Sequence, residues 1–159
     1  SRSATSAETL ATQVRTLGAQ VRVVADADAA LAHCPLVAVC TTASSLVLHA
    51  TPRADAFITA VGAFTPAMAE LAPALCQHVA AHGRIVVDTA DASHEAGDLL
   101  QAGLDVAALP VLRDVVCGPW TPRAPTGPVL FKSCGWAGWD LAAARLALRQ
   151  GAAQPPSST

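Results

Sequence analysis

The sequence predicts an α/β fold in which a parallel β-sheet carries helices on both faces. Nearly continuous apolar runs such as PLVAVCTT (35–42) are typical of strands buried on both sides. These runs alternate with segments of helical periodicity, and the connections between them are short. With 159 residues, 52% of them hydrophobic and 14% charged, the chain is long enough for one domain with a substantial core.

The first half of the chain alternates helix and strand. A helix is predicted over 4–17, where apolar residues recur at i, i+4 and i+7 before Gly18. The elements predicted after it are a strand at 20–24, a helix at 26–34 capped by Asp26 or Asp28, strands at 35–42 and 56–64, a helix at 70–83, a strand at 84–89 and a helix at 93–102. Ligands of such sheets bind beyond the carboxyl ends of the strands, here residues 40–42, 61–64 and 88–91.

The second half has a different composition. Residues 118–128 hold four prolines and two glycines, which predicts an exposed connection. VLFKS (129–133) is predicted to be a short strand, and 135–149 a helix rich in alanine and leucine. The tail at 151–159 is expected to be mobile.

Charge and cysteine content exclude several classes of protein. The net charge is −2 and no basic stripe is present, so no nucleic-acid partner is expected. No apolar run reaches the roughly 18 residues of a membrane span, and no stretch resembles a signal peptide. The five cysteines are scattered without a CxxC pair, as expected for reduced thiols in a cytoplasmic protein.

A dinucleotide-binding sheet normally begins with a Gly-rich GxGxxG turn, and the sequence contains none. It opens with SRSATSAETLA, the point at which the second strand of such a sheet would have just ended. Ser1, Arg2 and Ser3 offer a guanidinium and two hydroxyls there, which favours the NADP 2′-phosphate over the NAD ribose. An ordinary helix start with a surface arginine explains the same residues.

Three long segments resemble the ornithine cyclodeaminase/mu-crystallin family in order and separation. They are AVGAFTPAMAELAPAL, VVDTADASHEAGDLL and VLFKSCGWAGWDLAAARLA. Within that family, the VGAFTP and EAGDLLQAG stretches are similar to those of bacterial Δ1-pyrroline-2-carboxylate (ketimine) reductases. The resemblance implies a Rossmann-like sheet that lacks, in this chain, its first strand, Gly-rich loop, helix and second strand.

The same resemblance implies a larger dimeric enzyme that binds NADPH or NADH and a small cyclic imino acid. Residues 1–117 would be the latter part of its Rossmann domain, and 118–128 a connection. Residues 129–150 would return to the substrate and dimerisation domain, ahead of the tail at 151–159. The missing N-terminal part would supply the Gly-rich loop, so the chain alone is not expected to be a competent enzyme. A mu-crystallin-like ligand-binding protein and a truncated inactive fragment are the alternatives.

The family pattern assigns cofactor contacts by position. Ser1, Arg2 and Ser3 match the stretch that contacts the adenosine phosphate. Thr41 and Thr42 match strand-end residues beside the ribose and pyrophosphate, although without the resemblance they would be interpreted as strand threonines of no special function. Val61, Gly62 and Ala63 match the loop under the nicotinamide, where small side chains let the backbone approach a flat ring. No metal ligand is assigned.

Phe64 decides between two activities of the family. Ornithine cyclodeaminases resemble the sequence around VGAF but have an aspartate at the position of Phe64, and cyclisation needs a base. Phenylalanine cannot accept a proton, so simple hydride delivery to a ketimine is predicted and ornithine cyclisation is less favoured. Alanine dehydrogenase activity is also a less favoured alternative. A core or lid role for Phe64 is compatible with the reductase prediction.

Lys132 is the single lysine of the chain. The family resemblance places Lys132 and Ser133 at the border of the cleft, with the ammonium near an anion of the cofactor or substrate. The alternative is purely structural: Lys132 caps carbonyl groups, or pairs with Asp140 or an acid of another domain. A lysine that buries its stem suits both interpretations.

Two further groups of residues each have a structural and a functional interpretation. His78 and His82 lie at i, i+4, a spacing that can bind zinc, but no third ligand is near in sequence and solvated helix residues are favoured. An acidic group follows a predicted strand and is interpreted as helix caps and interdomain contacts in preference to a metal site; it comprises Asp88, Asp91, Glu95 and Asp98.

Overall fold

The computed structural model describes residues 3–42, 45–118 and 126–153. Among these residues, four parallel strands form one sheet in the order β1-β2-β4-β3. The elements are α1 (Ala4–Thr16), α2 (Ala27–Leu31), β1 (Leu36–Val39), β2 (Phe57–Ala60), α3 (Pro73–His82), β3 (Arg84–Val87), α4 (Ala92–Glu95), α5 (Gly97–Gln101), a 3₁₀ turn (Val106–Ala108), α6 (Leu112–Cys117), β4 (Val129–Lys132) and α7 (Ala137–Ala153). The predicted α/β fold with a parallel sheet is confirmed.

One face of the sheet carries the main core. Ile58, Ile85 and Leu130 lie side by side in register on β2, β3 and β4, and all three are buried. They belong to the same cluster as Leu75 and Val79 of α3. Burying an aliphatic side chain of this size contributes roughly 1.5–3 kcal/mol, so this layer fixes the relative positions of the strands.

The opposite face is less well covered. A cavity of about 290 Å³ lies between this face and α6. Its lining includes Phe57, Val86 and Phe131 from the sheet and Leu112 and Val115 from α6. Phe57 remains 44% exposed. The two faces of the sheet therefore differ in how completely helices cover them.

The strand predicted at 20–24 is wrong, because these residues join no sheet. A strand needs a neighbour to exchange hydrogen bonds, and the contact seen here is Arg15 Nη2 donating to Val21 O at 3.1 Å. The expectation that 35–42 is buried on both faces is also only partly met. Strand β1 pairs with β2 along one edge, and Leu36 is 75% exposed.

The helix predicted at 93–102 is divided into α4 and α5 at Ala96. Gly97, the first residue of α5, packs closely on another segment, because a Cβ there would lie 2.0 Å from Met68 O and 2.5 Å from Thr65 O. The chain thus comes close to the 65–68 backbone at the start of α5. The predicted stop at Gly103 holds, with φ at +73°.

The C-terminal helix α7 extends further than predicted. It runs to Ala153, so the first residues of the expected mobile tail at 151–159 are helical. Its side chains are largely exposed, including Leu141, Leu146 and Leu148. Most of the proline-rich connection lies outside the described residues, at 119–125, as does 154–159.

Candidate functional site

The carboxyl ends of the strands meet at one edge of the sheet. Val61 N donates to Val39 O at 2.9 Å, which carries the pairing of β1 and β2 past the strand ends. Ser133 N likewise donates to Ala60 O at 3.0 Å on the other side of β2. The segments 40–42, 61–64 and 133–135 therefore lie next to one another, as the parallel sheet predicts.

A buried carboxylate holds the first two of these segments together. Glu70 is 0% exposed. Its Oε1 accepts hydrogen bonds from Thr41 N at 2.6 Å and from Thr41 Oγ1 at 2.7 Å. Its Oε2 accepts from Gly62 N at 2.8 Å and Ala63 N at 3.2 Å. A carboxylate has room for about four such bonds, so the donors of both loops are satisfied by one side chain.

Gly62 allows this close approach. A Cβ at this position would lie 1.9 Å from Thr41 O and 2.4 Å from Glu70 Oε1. Both distances are far below van der Waals contact, so any larger residue would displace the loop. Gly62, which is predicted to contact a flat ring, must therefore be glycine, because Thr41 O and the Glu70 carboxylate leave no room for a side chain.

Lys132 lies beneath this edge and is 0% exposed. Its Nζ donates to Ala63 O at 2.5 Å and forms an ion pair with Asp98 Oδ2 at 2.8 Å. Asp98 Oδ1 in turn accepts from Glu70 N at 2.6 Å and Leu71 N at 2.9 Å. Lys132 therefore caps a carbonyl group and pairs with an acid, as its structural interpretation expects, but the acid is Asp98 and not Asp140. Its contact with a cofactor or substrate anion stays a prediction.

Glu70 was not among the site residues predicted from the sequence. The signal was a single carboxylate inside the apolar stretch AMAELAPAL, three residues before the proline that begins α3. Such a residue is normally assigned to a solvated helix start. Only the tertiary fold shows that it accepts from loops 29 and 8 residues away in sequence.

Asp88 organises the third segment. Its Oδ2 accepts from Ser133 Oγ at 2.9 Å, Cys134 N at 2.7 Å and Gly135 N at 2.8 Å. Gly135 has φ at +89°, a conformation that glycine adopts without strain. Ser133 is consequently buried, with its hydroxyl directed at Asp88. The turn after β4 is fixed from within, just as Glu70 fixes the turns after β1 and β2.

The acidic group is only partly as expected. Asp91 stands at the start of α4 but makes no side-chain cap hydrogen bond. Asp88 and Asp98 are buried against backbone N–H groups of this domain, which corrects the assignment of caps and interdomain contacts for these two. Among the described residues, no three histidine, cysteine or acidic side chains gather as metal ligands. His78 and His82 stack with ring centroids 4.5 Å apart.

The remaining predicted site residues differ in accessibility. Thr42 is exposed, Val61 is 43% exposed and Phe64 is 54% exposed, so all three can be reached from solvent at the carboxyl edge. Ser3 caps α1 by accepting from Ser6 N at 3.2 Å, which is the ordinary helix start considered above. Ser1 and Arg2 lie outside the described residues.

None of the five cysteines is in a disulfide, and two of them are poor nucleophiles. Burial raises the pKa of Cys76 to about 12 and that of Cys134 to about 11. Both side chains therefore remain thiols at neutral pH, and they serve as packing groups. No helix in the described part of the chain combines the length and apolar character needed to cross a membrane.

The sheet order, the strand-end turns and their buried polar anchors define a Rossmann-like α/β protein with its candidate site at the carboxyl edge. Residues 1–152 match the model of the ornithine cyclodeaminase/mu-crystallin family. The chain belongs to that family, and the resemblance found in the sequence is confirmed.

Relatives with assigned activities are Δ1-pyrroline-2-carboxylate reductases. Reductase 1 of Burkholderia multivorans is 40% identical over 123 residues, which are 77% of this chain and 37% of the relative. The Δ1-pyrroline-2-carboxylate/Δ1-piperideine-2-carboxylate reductase of Azospirillum brasilense is 39% identical over 122 residues, again 77% and 37% of the two chains. The chain thus spans well under half the length of these relatives.

Solved structures share the same fold. The Thermococcus litoralis Δ1-pyrroline-2-carboxylate reductase in complex with NADH and L-proline has a TM-score of 0.82 and 25% identity, covering 94% of this chain and 49% of that one. An archaeal alanine dehydrogenase dimer with bound NAD has a TM-score of 0.75 and 21% identity, covering 91% and 47%. The second similarity shows the fold alone.

Proposed function

We propose that the protein carrying this chain reduces a cyclic ketimine such as Δ1-pyrroline-2-carboxylate to the cyclic amino acid, L-proline, with NADH or NADPH. The observation that carries the proposal is the identity of about 40% with three reductases of this activity. The fold supports it, since the Thermococcus litoralis reductase with NADH and L-proline matches 94% of the chain. The rest of the protein would complete the cofactor and substrate sites.

The carboxyl edge fits a nicotinamide cofactor. Gly62 has no side chain, the methyl group of Ala63 is 0% exposed and the nearby ammonium of Lys132 is fully buried, so a flat uncharged ring can approach the loop at Gly62. When bound, the cofactor supplies a hydride for the carbon of the C=N bond. The chain contributes orientation: Glu70 and Lys132 fix the loop backbone, so a ring resting on it is held at a defined height.

Phe64 separates this reaction from cyclodeamination. It is 54% exposed beside the loop, where ornithine cyclodeaminases have an aspartate that can accept a proton. Among the described residues of the 61–64 loop, no side chain is ionisable. The loop can orient and shield a reacting ring but cannot move protons, which suits hydride transfer to an already formed imine.

Three finer properties belong to the same proposal. Arg2 favours NADPH, because a guanidinium pairs with a 2′-phosphate. The exposed leucines of α7 support a homodimer or an interface with the substrate domain. The absence of disulfides among the five cysteines supports the cytoplasm as location.

The test is oxidation of NADH or NADPH, followed at 340 nm with the intact protein and Δ1-pyrroline-2-carboxylate. We expect turnover with the ketimine and none with L-ornithine. Turnover with pyruvate and ammonia but not with the ketimine would assign an alanine dehydrogenase activity instead. Cofactor binding without any turnover would assign a mu-crystallin-like binding function. Arg2→Ala should raise the KM for NADPH about tenfold and leave that for NADH within twofold.

A further inference from the structure

Ala63 is held at both of its backbone polar groups by buried charged side chains. Its N–H donates to Glu70 Oε2 at 3.2 Å, and its carbonyl accepts from Lys132 Nζ at 2.5 Å. Hydrogen bonds with a charged partner are roughly twice as strong as bonds between neutral groups. A carboxylate and an ammonium therefore fix the orientation of the backbone immediately before Phe64.

Asp98 contacts both of these charged residues. Its Oδ2 forms an ion pair with Lys132 Nζ at 2.8 Å, and its Oδ1 accepts from Glu70 N at 2.6 Å and Leu71 N at 2.9 Å. Asp98, Glu70 and Lys132 are all 0% exposed. In the described part of the chain, Asp98 makes no hydrogen bond of its own to residues 61–64, so it acts on this loop through Glu70 and Lys132.

Helix α5 fixes the position of Asp98. Asp98 is the second residue of this helix, and Leu99 next to it is fully buried in the core. At the end of the helix, Gln101 Nε2 donates to Pro66 O at 2.9 Å, in the segment that follows the loop. A displacement of α5 therefore moves Asp98 and, with it, the two charged groups that hold Ala63.

We propose that Asp98 is a positioning residue for hydride transfer, because it fixes through Glu70 and Lys132 the loop on which the reacting ring of the cofactor rests. This inference rests on the proposed function. Displacing reacting groups by about 1 Å can lower a rate about 100-fold. Most of the surface of a dinucleotide lies outside its reacting ring, so the same displacement changes the affinity far less. Asp98 is thus assigned to the rate of hydride transfer and not to the strength of cofactor binding.

The first variant is Asp98→Asn in the intact protein. Asparagine keeps an oxygen for Glu70 N and Leu71 N but places a neutral amide against Lys132 Nζ, which loses its counter-charge. Oxidation of NADH by Δ1-pyrroline-2-carboxylate in a single turnover should slow at least tenfold, whereas the Kd for NADH should stay within threefold of wild type. A single-turnover rate within twofold of wild type would overturn the inference, as would a loss of NADH affinity as large as the loss of rate.

A double variant separates positioning from stability. Lys132→Met combined with Asp98→Asn removes both charges of the buried pair, so it should be more stable than Lys132→Met alone. Methionine has no hydrogen to donate, so Ala63 O stays without its donor and the single-turnover rate should remain at least tenfold below that of wild type. A rate that recovers together with the stability would show a merely structural role and contradict the inference.

Asp28→Asn is the matched control. Like Asp98, the Asp28 carboxylate accepts from two consecutive backbone N–H groups, His49 at 2.7 Å and Ala50 at 2.9 Å, but it holds a different loop. This variant should keep the wild-type single-turnover rate within twofold even where its stability falls. A tenfold slower rate in Asp28→Asn would mean that any lost carboxylate slows the reaction, and the assignment to Asp98 would fail.

Hydrogen exchange without ligand separates this inference from the proposed function. The Gly62 and Ala63 amides should exchange at least fivefold faster in Asp98→Asn than in wild type, although Asp98 hydrogen-bonds to neither residue. Unchanged exchange would overturn the inference whatever the protein catalyses. Faster exchange, together with no reduction of the ketimine by wild type, would overturn the proposed function and leave Asp98 as the residue that holds the loop.

Discussion

Replacing Lys132 by methionine should destabilise the protein far more than loss of an ordinary ion pair. Lys132 and Asp98 are both 0% exposed, with Nζ and Oδ2 2.8 Å apart. Methionine fills a similar volume but leaves Asp98 Oδ2 buried without a cation and Ala63 O without its donor. Removing one member of a buried pair costs about 3–5 kcal/mol, a large share of a typical total of about 5–15 kcal/mol.

The assay is urea unfolding of the intact protein at pH 7, followed by far-ultraviolet circular dichroism. The midpoint should fall while the slope stays constant, which identifies a change in stability. Asp98→Asn in the same background removes the orphaned charge and keeps an oxygen for Glu70 N and Leu71 N. The double variant should therefore be more stable than Lys132→Met alone. A cost below about 1 kcal/mol for Lys132→Met, as for exposed pairs, would refute the reasoning.

Three further outcomes are expected. Gly62→Ala should raise the Kd for NADH at least tenfold and lower the melting temperature, because its Cβ would lie 1.9 Å from Thr41 O; an unchanged titration would contradict this. Burial raises the pKa of Cys76 from 9.0 to about 12, so its stabilising contribution is complete below pH 9 and is lost as the pH rises toward 12. At pH 8 a thiol reagent should modify exposed Cys34 in the native protein and Cys76 only after unfolding; rapid native modification of Cys76 would count against its burial. The N–H groups of Ala50 and His49 lower the pKa of Asp28 below its usual 3.8, so the contribution of Asp28 to stability is present above pH 3.8 and is lost at lower pH. Plots of unfolding free energy against pH for Asp28→Asn and wild type should therefore converge below pH 3.8. Parallel plots would contradict the expectation.

The fold class could be predicted from the sequence because apolar runs and helical periodicity indicate, for each helix or strand separately, which residues are buried. Residues 20–24 show the limit of that reasoning: their pattern favours a strand, but a strand exists only beside a partner, and none is present in the described residues. Leu36 shows the same limit, since within the described part of the chain its apolar strand pairs with one neighbour, β2, and the side chain is 75% exposed.

The site was predicted less completely than the fold. The strand-end segments were found because parallel strands place their carboxyl ends together, and the roles of Thr41 and Gly62 came from family resemblance. Glu70 was missed because its partners lie on two loops distant in sequence, and no local pattern distinguishes a buried carboxylate from a solvated one. Lys132 attracted attention through its rarity, but only the tertiary packing identifies Asp98 as its partner.

The burial of the single lysine has a practical consequence for proteolysis. A lysine-specific protease has one target in this chain, the bond after Lys132, at the end of the strand that lies between two neighbours in the sheet. Cleavage there requires β4 to leave the sheet, since a protease binds its substrate in extended, accessible form. The appearance of a peptide ending at residue 132 therefore counts molecules whose sheet has opened, and the rate of its appearance follows the population of that open state.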